Sequence, residues 1–430
     1  MHHHEFQRRA LRHRSLIGNW VRTGVCASCL PWSLALFAAE PAYNAGAAGN
    51  PYQQWELGPG KSKDYFPIGV WLQQPILAPQ YQAAGFNLYL DLWEGPTEDQ
   101  LAILTKFNMR VICKQNAVAL AHINDPLIVG WIQPDEPDNA KPFQYFWSNS
   151  VSRIQTAWPG LFDDLGTNKP YTGYGPPIPG SWIIRDYEAM HTKDPRRPVI
   201  LGMGDGVGHP DAICRGERTG KIEDYLEYLK GCDIVAFDTY PVNYKTNRCH
   251  VADGVTNLRT WSKDRKVVWN TIECTGLAKP SDTRAEVWMS LIHGSMGIGY
   301  FVHELKDGLL GSSDRALLYN TEMLAEVTRI NHQIHDLAPV LNTPSSPTPA
   351  TVVTSNPDIP VDSMTKAMGS TVYVFSVAMH EGETKAVFTV PGMKSGKVIV
   401  LGENRTLAME GDHFEDRFGA WDVHLYEITR

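Results

Sequence analysis

Leu127–Pro137 reads LIVGWIQPDEP. Six apolar or glycine residues pass, within four positions, into Asp135 and Glu136, locked beside Pro137. A run this short and this uniformly apolar fits a strand buried on both faces, the kind found in a parallel sheet covered by helices. The acids after it read either as a solvated turn or as functional groups set at a strand end. The rest of the chain decides between them.

Seven further runs of this kind occur between Phe66 and Glu304: FPIGVWL (Phe66–Leu72), GFNLYLDL (Gly85–Leu92), MRVICKQ (Met109–Gln115), PVILGMG (Pro198–Gly204), CDIVAFDTYP (Cys232–Pro241), KVVWNTIE (Lys266–Glu273) and MGIGYFVHE (Met296–Glu304). Between them TEDQLAILTKF, KIEDYLEYL and RAEVWMSLIHG carry the apolar spacing of amphipathic helices. Thr97 and Ser281 stand where the first and last of these need N-caps. Strand and helix alternating in this way predict an α/β fold, a (β/α)8 TIM barrel. A doubly wound open sheet is the competitor, but no GxGxxG follows the first run, where a dinucleotide fold needs it.

A helix is expected over 321–337, followed by PVLNTPSSPTPATVV as a linker. Beyond it TVYVFSVAM, TKAVFTV, GKVIVLG and WDVHLYEI run at strand length between turn residues, which predicts a small C-terminal antiparallel β-sandwich domain. The expected organisation is a leader over 1–50 outside the fold, a barrel over 51–340 and a sandwich over 341–430. The long interruption from Pro137 to Gly180, carrying Trp147 and Trp158, is expected to overhang the barrel rim.

Composition narrows the partners. Hydrophobic residues make up 43% and charged residues 20%, as in an ordinary globular chain. A formal net charge of −8 argues against nucleic acid, whose phosphates need a basic face. Thirteen tryptophans and seventeen tyrosines supply flat faces for core packing and for stacking on sugar rings. Setting aside MHHHEF as a tag or scar, the basic stretch Arg8–Arg22, the apolar core after Cys29 and the small-residue tail to Gly49 follow the order of a secretory signal. The apolar part is too short to span a bilayer. A secreted or periplasmic protein with no stable membrane insertion is expected. Five cysteines follow the leader without a CxxC, so no structural zinc site is indicated, and Cys214 and Cys249 in loop-like sequence are open to pairing. No metal or cofactor is expected.

Polar residues gather at the C-terminal ends of the runs: Gln73, Asp91, Lys114, Glu136, Asp205, Asp238, Glu273, His303 and Glu304. In a barrel these ends share one rim, where barrel enzymes place their chemistry. Asp91, Lys114, Asp135, Asp238, His303 and Glu304 are candidate substrate contacts, and of Trp93, Trp131 and Trp269 one is expected to be a sugar platform. Glu136 ends the fourth strand and Glu273 the seventh, which face each other across the mouth. Glycosidic hydrolysis needs two carboxylates, one to protonate the departing oxygen and one to attack or to activate water. Neighbouring aromatics and acids, here Trp131, Asp135 and Trp269, push such pKa values apart.

GWIQPDEPDNA, IVAFDTYPVN, WNTIECTG and GIGYFVHE resemble the fourth, sixth, seventh and eighth strands of clan A glycoside hydrolases, over about residues 65–340. The resemblance implies Glu136 as acid/base, Glu273 as nucleophile and Tyr240 as a tyrosine bonded to the nucleophile. It implies retaining cleavage of a β-linked oligo- or polysaccharide by two-glutamate double displacement. One departure stands out: Asp135 replaces the asparagine that usually precedes the acid/base. Two other readings compete. A non-catalytic glycan-binding barrel would keep the pocket without the chemistry. A metal-dependent barrel hydrolase would use Asp205, His209 and Asp211 of GDGVGHPD, although the first run lacks the HxH pair with which such sites begin.

Overall fold

The computed structural model of the chain describes residues 50–141, 176–306 and 309–429. Residues 1–49, where the leader is expected, and the segment 142–175, with Trp147 and Trp158, lie outside the described residues. Eight parallel strands close a barrel in chain order: β1 (Ile68–Trp71), β2 (Leu88–Leu90), β3 (Arg110–Cys113), β4 (Ile128–Ile132), β5 (Val199–Met203), β6 (Ile234–Asp238), β7 (Val267–Glu273) and β8 (Ile298–Phe301). Closure is made by β1 pairing with β8, Ile68 opposite Ile298.

The near-continuous apolar runs have the cause expected of them. One set of side chains, including Leu88, Leu90, Ile112, Ile132, Ile200, Ile234 and Trp269, fills the barrel interior. The alternate set, including Tyr89, Val111, Trp131, Val199 and Ile272, packs outward under the helices. Tyr52 and Trp55, just ahead of the first strand, join the interior cluster, and the Tyr52 hydroxyl accepts the Trp269 indole N–H at 2.7 Å. Trp269 is therefore core and no sugar platform. Trp131 is fully buried on the outer face, with the Arg197 guanidinium 5.4 Å from its ring.

Thr97 caps the helix Glu98–Lys106 in a reciprocal capping box with Gln100. Ser281 caps nothing. Its helix runs Pro280–His293 with Lys279 at the N-cap, because Pro280 suits the first helical position, where a missing N–H costs no bond.

The last helix extends to Leu341, four residues past the expected end, and carries Pro339 in its final turn. The expected linker is shorter than read: Thr351–Thr354 is already a strand. The C-terminal region is two antiparallel sheets, one of five strands and one of three. Strand Thr371–Ala378 shows why its sequence is mostly apolar. Tyr373, Phe375 and Val377 join the barrel's outer core, Phe375 lying 5.3 Å from Trp288, while Val374 and Ala378 face the second sheet. Cys214 and Cys249 are both free thiols. Among the described residues no helix is long and apolar enough to cross a membrane.

Candidate active site

The turn after β4 is the most constrained piece of backbone at the mouth. Glu136 adopts φ +43°, a left-handed conformation that is uncommon for any residue other than glycine, and Pro137 directly after it further disfavours the choice. Surrounding bonds hold it there. The Glu136 N–H donates to Gly202 O at 3.0 Å, its carbonyl accepts from Asn139 N–H at 3.1 Å, and Lys141 Nζ donates to the same carbonyl at 2.7 Å. Strain of this kind persists only where neighbours over-determine it, and it concentrates at functional sites.

Asp138, two residues on, anchors the turn from below. Its carboxylate accepts from Gly204 N–H (3.0 Å) and the Tyr225 hydroxyl (3.1 Å), and its carbonyl from Arg215 Nε (3.3 Å). Asp135 instead projects over β5. A Cβ at Gly202 would come within 3.3 Å of its Oδ1, so the glycine leaves the space the carboxylate uses.

Asp135, Glu136 and Asp238 form one electrostatic unit. Burial raises the Asp135 carboxyl well above its ordinary value, and the charge of Glu136 raises it further. Asp238, at the end of β6, is raised well up for the same reasons: burial first, then Glu136 and Asp135. The Tyr240 hydroxyl hydrogen-bonds Asp238 and partly offsets this. Burial and the neighbouring negative charges thus favour the protonated forms of Asp135 and Asp238.

On the neighbouring rim Asp91 takes φ +60° and pairs with Lys114 at 3.1 Å, with Leu92 N–H donating to its Oδ1 at 2.8 Å. Burial raises Asp91, against the lowering effect of Lys114. Trp93 follows, 50% exposed, and is the one of the three candidate tryptophans available to a ligand.

Glu273 belongs to a different environment. It is fully buried, and its oxygens accept from Val242 N–H (2.7 Å), Asn243 N–H (3.1 Å) and the Asn243 amide. Burial raises its pKa; bonds from Asn243, from Glu286 and from the Val242 amide work the other way. Its carboxylate fastens β7 to the short helix Pro241–Tyr244 that follows β6. Tyr240 bonds Asp238, whereas the resemblance implied a bond to the nucleophile. The expected two-glutamate double displacement is corrected: Glu136 sits beside the raised Asp135 and Asp238, and Glu273 is buried with its oxygens accepting from the Val242 and Asn243 amides.

The remaining expected contacts divide. His303 is half-buried, with its ring 5.0 Å from Phe301. Glu304 accepts from Ser312 N–H and Ser313 N–H at 2.8 and 3.2 Å, and those backbone bonds lower its pKa, so it closes a loop. Asp205 accepts from the Thr239 hydroxyl and lies 3.6 Å from His209, which stacks on His250 at 4.3 Å. Among the described residues no three or more His, Cys, Asp or Glu side chains converge as a metal ion requires. Sequence reasoning missed Lys141 and Gly202. A glycine inside the VILGMG strand was the available signal for the second.

No family model matches the chain, and no curated protein matches it. Solved structures of similar shape include an α-amylase from Anoxybacillus (10% identity over 86% of this chain and 99% of that one, TM-score 0.45). A maltogenic α-amylase from Thermotoga neapolitana gives 10%, 86%, 99% and 0.46, and a GH30 endoxylanase from Clostridium papyrosolvens 10%, 87%, 99% and 0.42. Others are described as complexes with maltose, maltotriose or sucrose. Several of these structures are described as α-amylases, not as the clan A enzymes acting on β-glycans that the sequence resemblance implied. Likeness at this level assigns no family.

Proposed function

We propose that the chain is a glycoside hydrolase whose chemistry runs on the carboxylate cluster Asp135, Glu136 and Asp238. The observation that carries this reading is the strained Glu136 turn beside two aspartates that burial and neighbouring charge raise, at the C-terminal mouth of the barrel. A cluster whose raised aspartates favour their protonated forms can supply a proton to a departing glycosidic oxygen, and its remaining negative charge can assist attack at the anomeric carbon or stabilise the cation forming there. Glu136 is assigned the proton transfer. Asp135 and Asp238 keep the proton within reach, and Trp93 offers a flat face to a sugar ring. Incubation with a carbohydrate panel that begins with amylose and maltooligosaccharides, scored for new reducing ends, tests the reading. Release of reducing sugar supports it, and silence across the panel overturns it.

Two further results are expected. Trp93→Ala should raise KM on the order of tenfold with kcat little changed, the pattern of a lost stacking contact that serves ground and transition states alike. Steady-state kinetics on the best substrate check this.

Asp238→Asn should trade activity for stability. An aspartate raised in the folded state binds a proton that the unfolded chain has released above about pH 3.9, so its ionisation costs stability as pH rises. Removing the charge should stabilise the protein at pH 7 by on the order of 1 kcal/mol while lowering turnover. The stability gain should vanish below about pH 4, where the unfolded carboxylates are protonated too. Thermal unfolding of both proteins across that range measures it.

A further inference from the structure

The barrel's N-terminal end, opposite the proposed site, carries an open pocket of about 420 Å³. Its walls come from Tyr65 ahead of β1, Gly85 before β2, Asn108 and Arg110 at the start of β3, and His332 and His335 on the last helix. Among the described residues no aspartate or glutamate lines it, in a chain whose formal net charge is −8. Arg110 donates to Pro59 O at 2.6 Å, and its guanidinium lies 4.7 Å from the Tyr65 ring centroid. Among the described residues no carboxylate pairs with it, so a half-buried, fixed cation faces the pocket without a counter-charge.

The two histidines stand one helical turn apart on the same face. His335 Nε2 lies 2.8 Å from Gly85 O, which can only accept, so that nitrogen carries a proton and the ring is held in place. Gly85 has φ +80°, and a Cβ there would come within 3.0 Å of His332 Cδ2, so the glycine permits the close approach that sets the histidine over the pocket.

We propose that this pocket binds a small anion bearing a carboxylate or phosphate group. The Arg110 fork supplies the charge-assisted hydrogen bonds, and the His332 imidazole and Asn108 amide supply further contacts. Such a ligand bridges the segment before β1, the β2 and β3 entries and the last helix, and so stabilises the folded barrel by mass action. The site is independent of the proposed hydrolysis.

The test is thermal unfolding of the full chain with inorganic phosphate and, separately, citrate, each titrated to millimolar concentration against sodium chloride of equal ionic strength. Isothermal titration calorimetry of the same pairs gives the affinity directly. A saturable rise in midpoint by a few degrees is expected with at least one anion, and the responding arm names the group. Arg110→Gln and His332→Ala should each weaken binding about tenfold or more. His332 is exposed, so its variant keeps the test valid if Arg110→Gln alone unfolds the entry segment. No saturable response beyond chloride, or an unchanged response in a folded His332→Ala protein, overturns the proposal.

Discussion

Glu136→Gln lowers kcat/KM on a cleavable glycan by about a thousandfold, the scale of a lost general acid/base. The amide keeps the shape of the acid but carries no transferable proton. Because the left-handed turn is held through main-chain bonds to Gly202, Asn139 and Lys141, the substitution leaves that turn intact. The thermal midpoint therefore shifts little. Parallel loss of turnover and of folded structure would assign Glu136 a structural task. Unaltered turnover in a folded variant would remove it from the chemistry. The same variant separates the hydrolase from a glycan-binding barrel, since a binder would lose little affinity for its sugar.

Arg197→Met destabilises the protein by about 3–5 kcal/mol, the cost of stranding the partners of a buried ion pair. Arg197 is fully buried. It pairs with Asp194 at 2.6 Å and donates to Ile123 O, Asp125 O and Ile128 O at 2.7, 2.7 and 2.5 Å. Ile128 begins β4, so this guanidinium fixes the lower end of the strand whose upper end presents Glu136. Burial opposes ionisation of Asp194, but the bonds from Arg197 and Arg196 outweigh it and hold the carboxyl below its usual range. The sign follows. A depressed folded pKa contributes stability above the unfolded value of about 3.9, and that contribution is lost as pH falls through the folded value. The penalty of the substitution is thus full at neutral pH and shrinks in acid. Chemical denaturation at neutral and acidic pH measures both, and an equal penalty at both would contradict the assignment.

The barrel was legible because each strand is buried on both faces, and that leaves an apolar run needing no long-range information. The same burial hid which face each residue takes. With no alternation in KVVWNTIE, nothing local says that Trp269 fills the interior. Trp93, beyond the end of its strand, could be told from the core tryptophans only by where its loop stands. Glu273 shows the larger limit. Its place at a strand end is visible in sequence, but the amides of Val242 and Asn243 that occupy its oxygens lie some thirty residues earlier and are brought to it by closure of the barrel. The approach of Asp135 and Glu136 to Asp238 is long-range in the same way, made by the strand order of the closed barrel. Short motifs such as TYP or DEP fix a turn, and the turn's neighbours fix the role.

The dependence of wild-type kcat/KM on pH tests the central assignment most directly, with the cleaved glycan as its own readout. A cluster whose proton is held by Asp135 and Asp238 predicts a rate that falls on the alkaline side, at a pH above that expected of exposed carboxylates. A rate flat from mildly acid to mildly alkaline solution would mean that no proton of this cluster takes part.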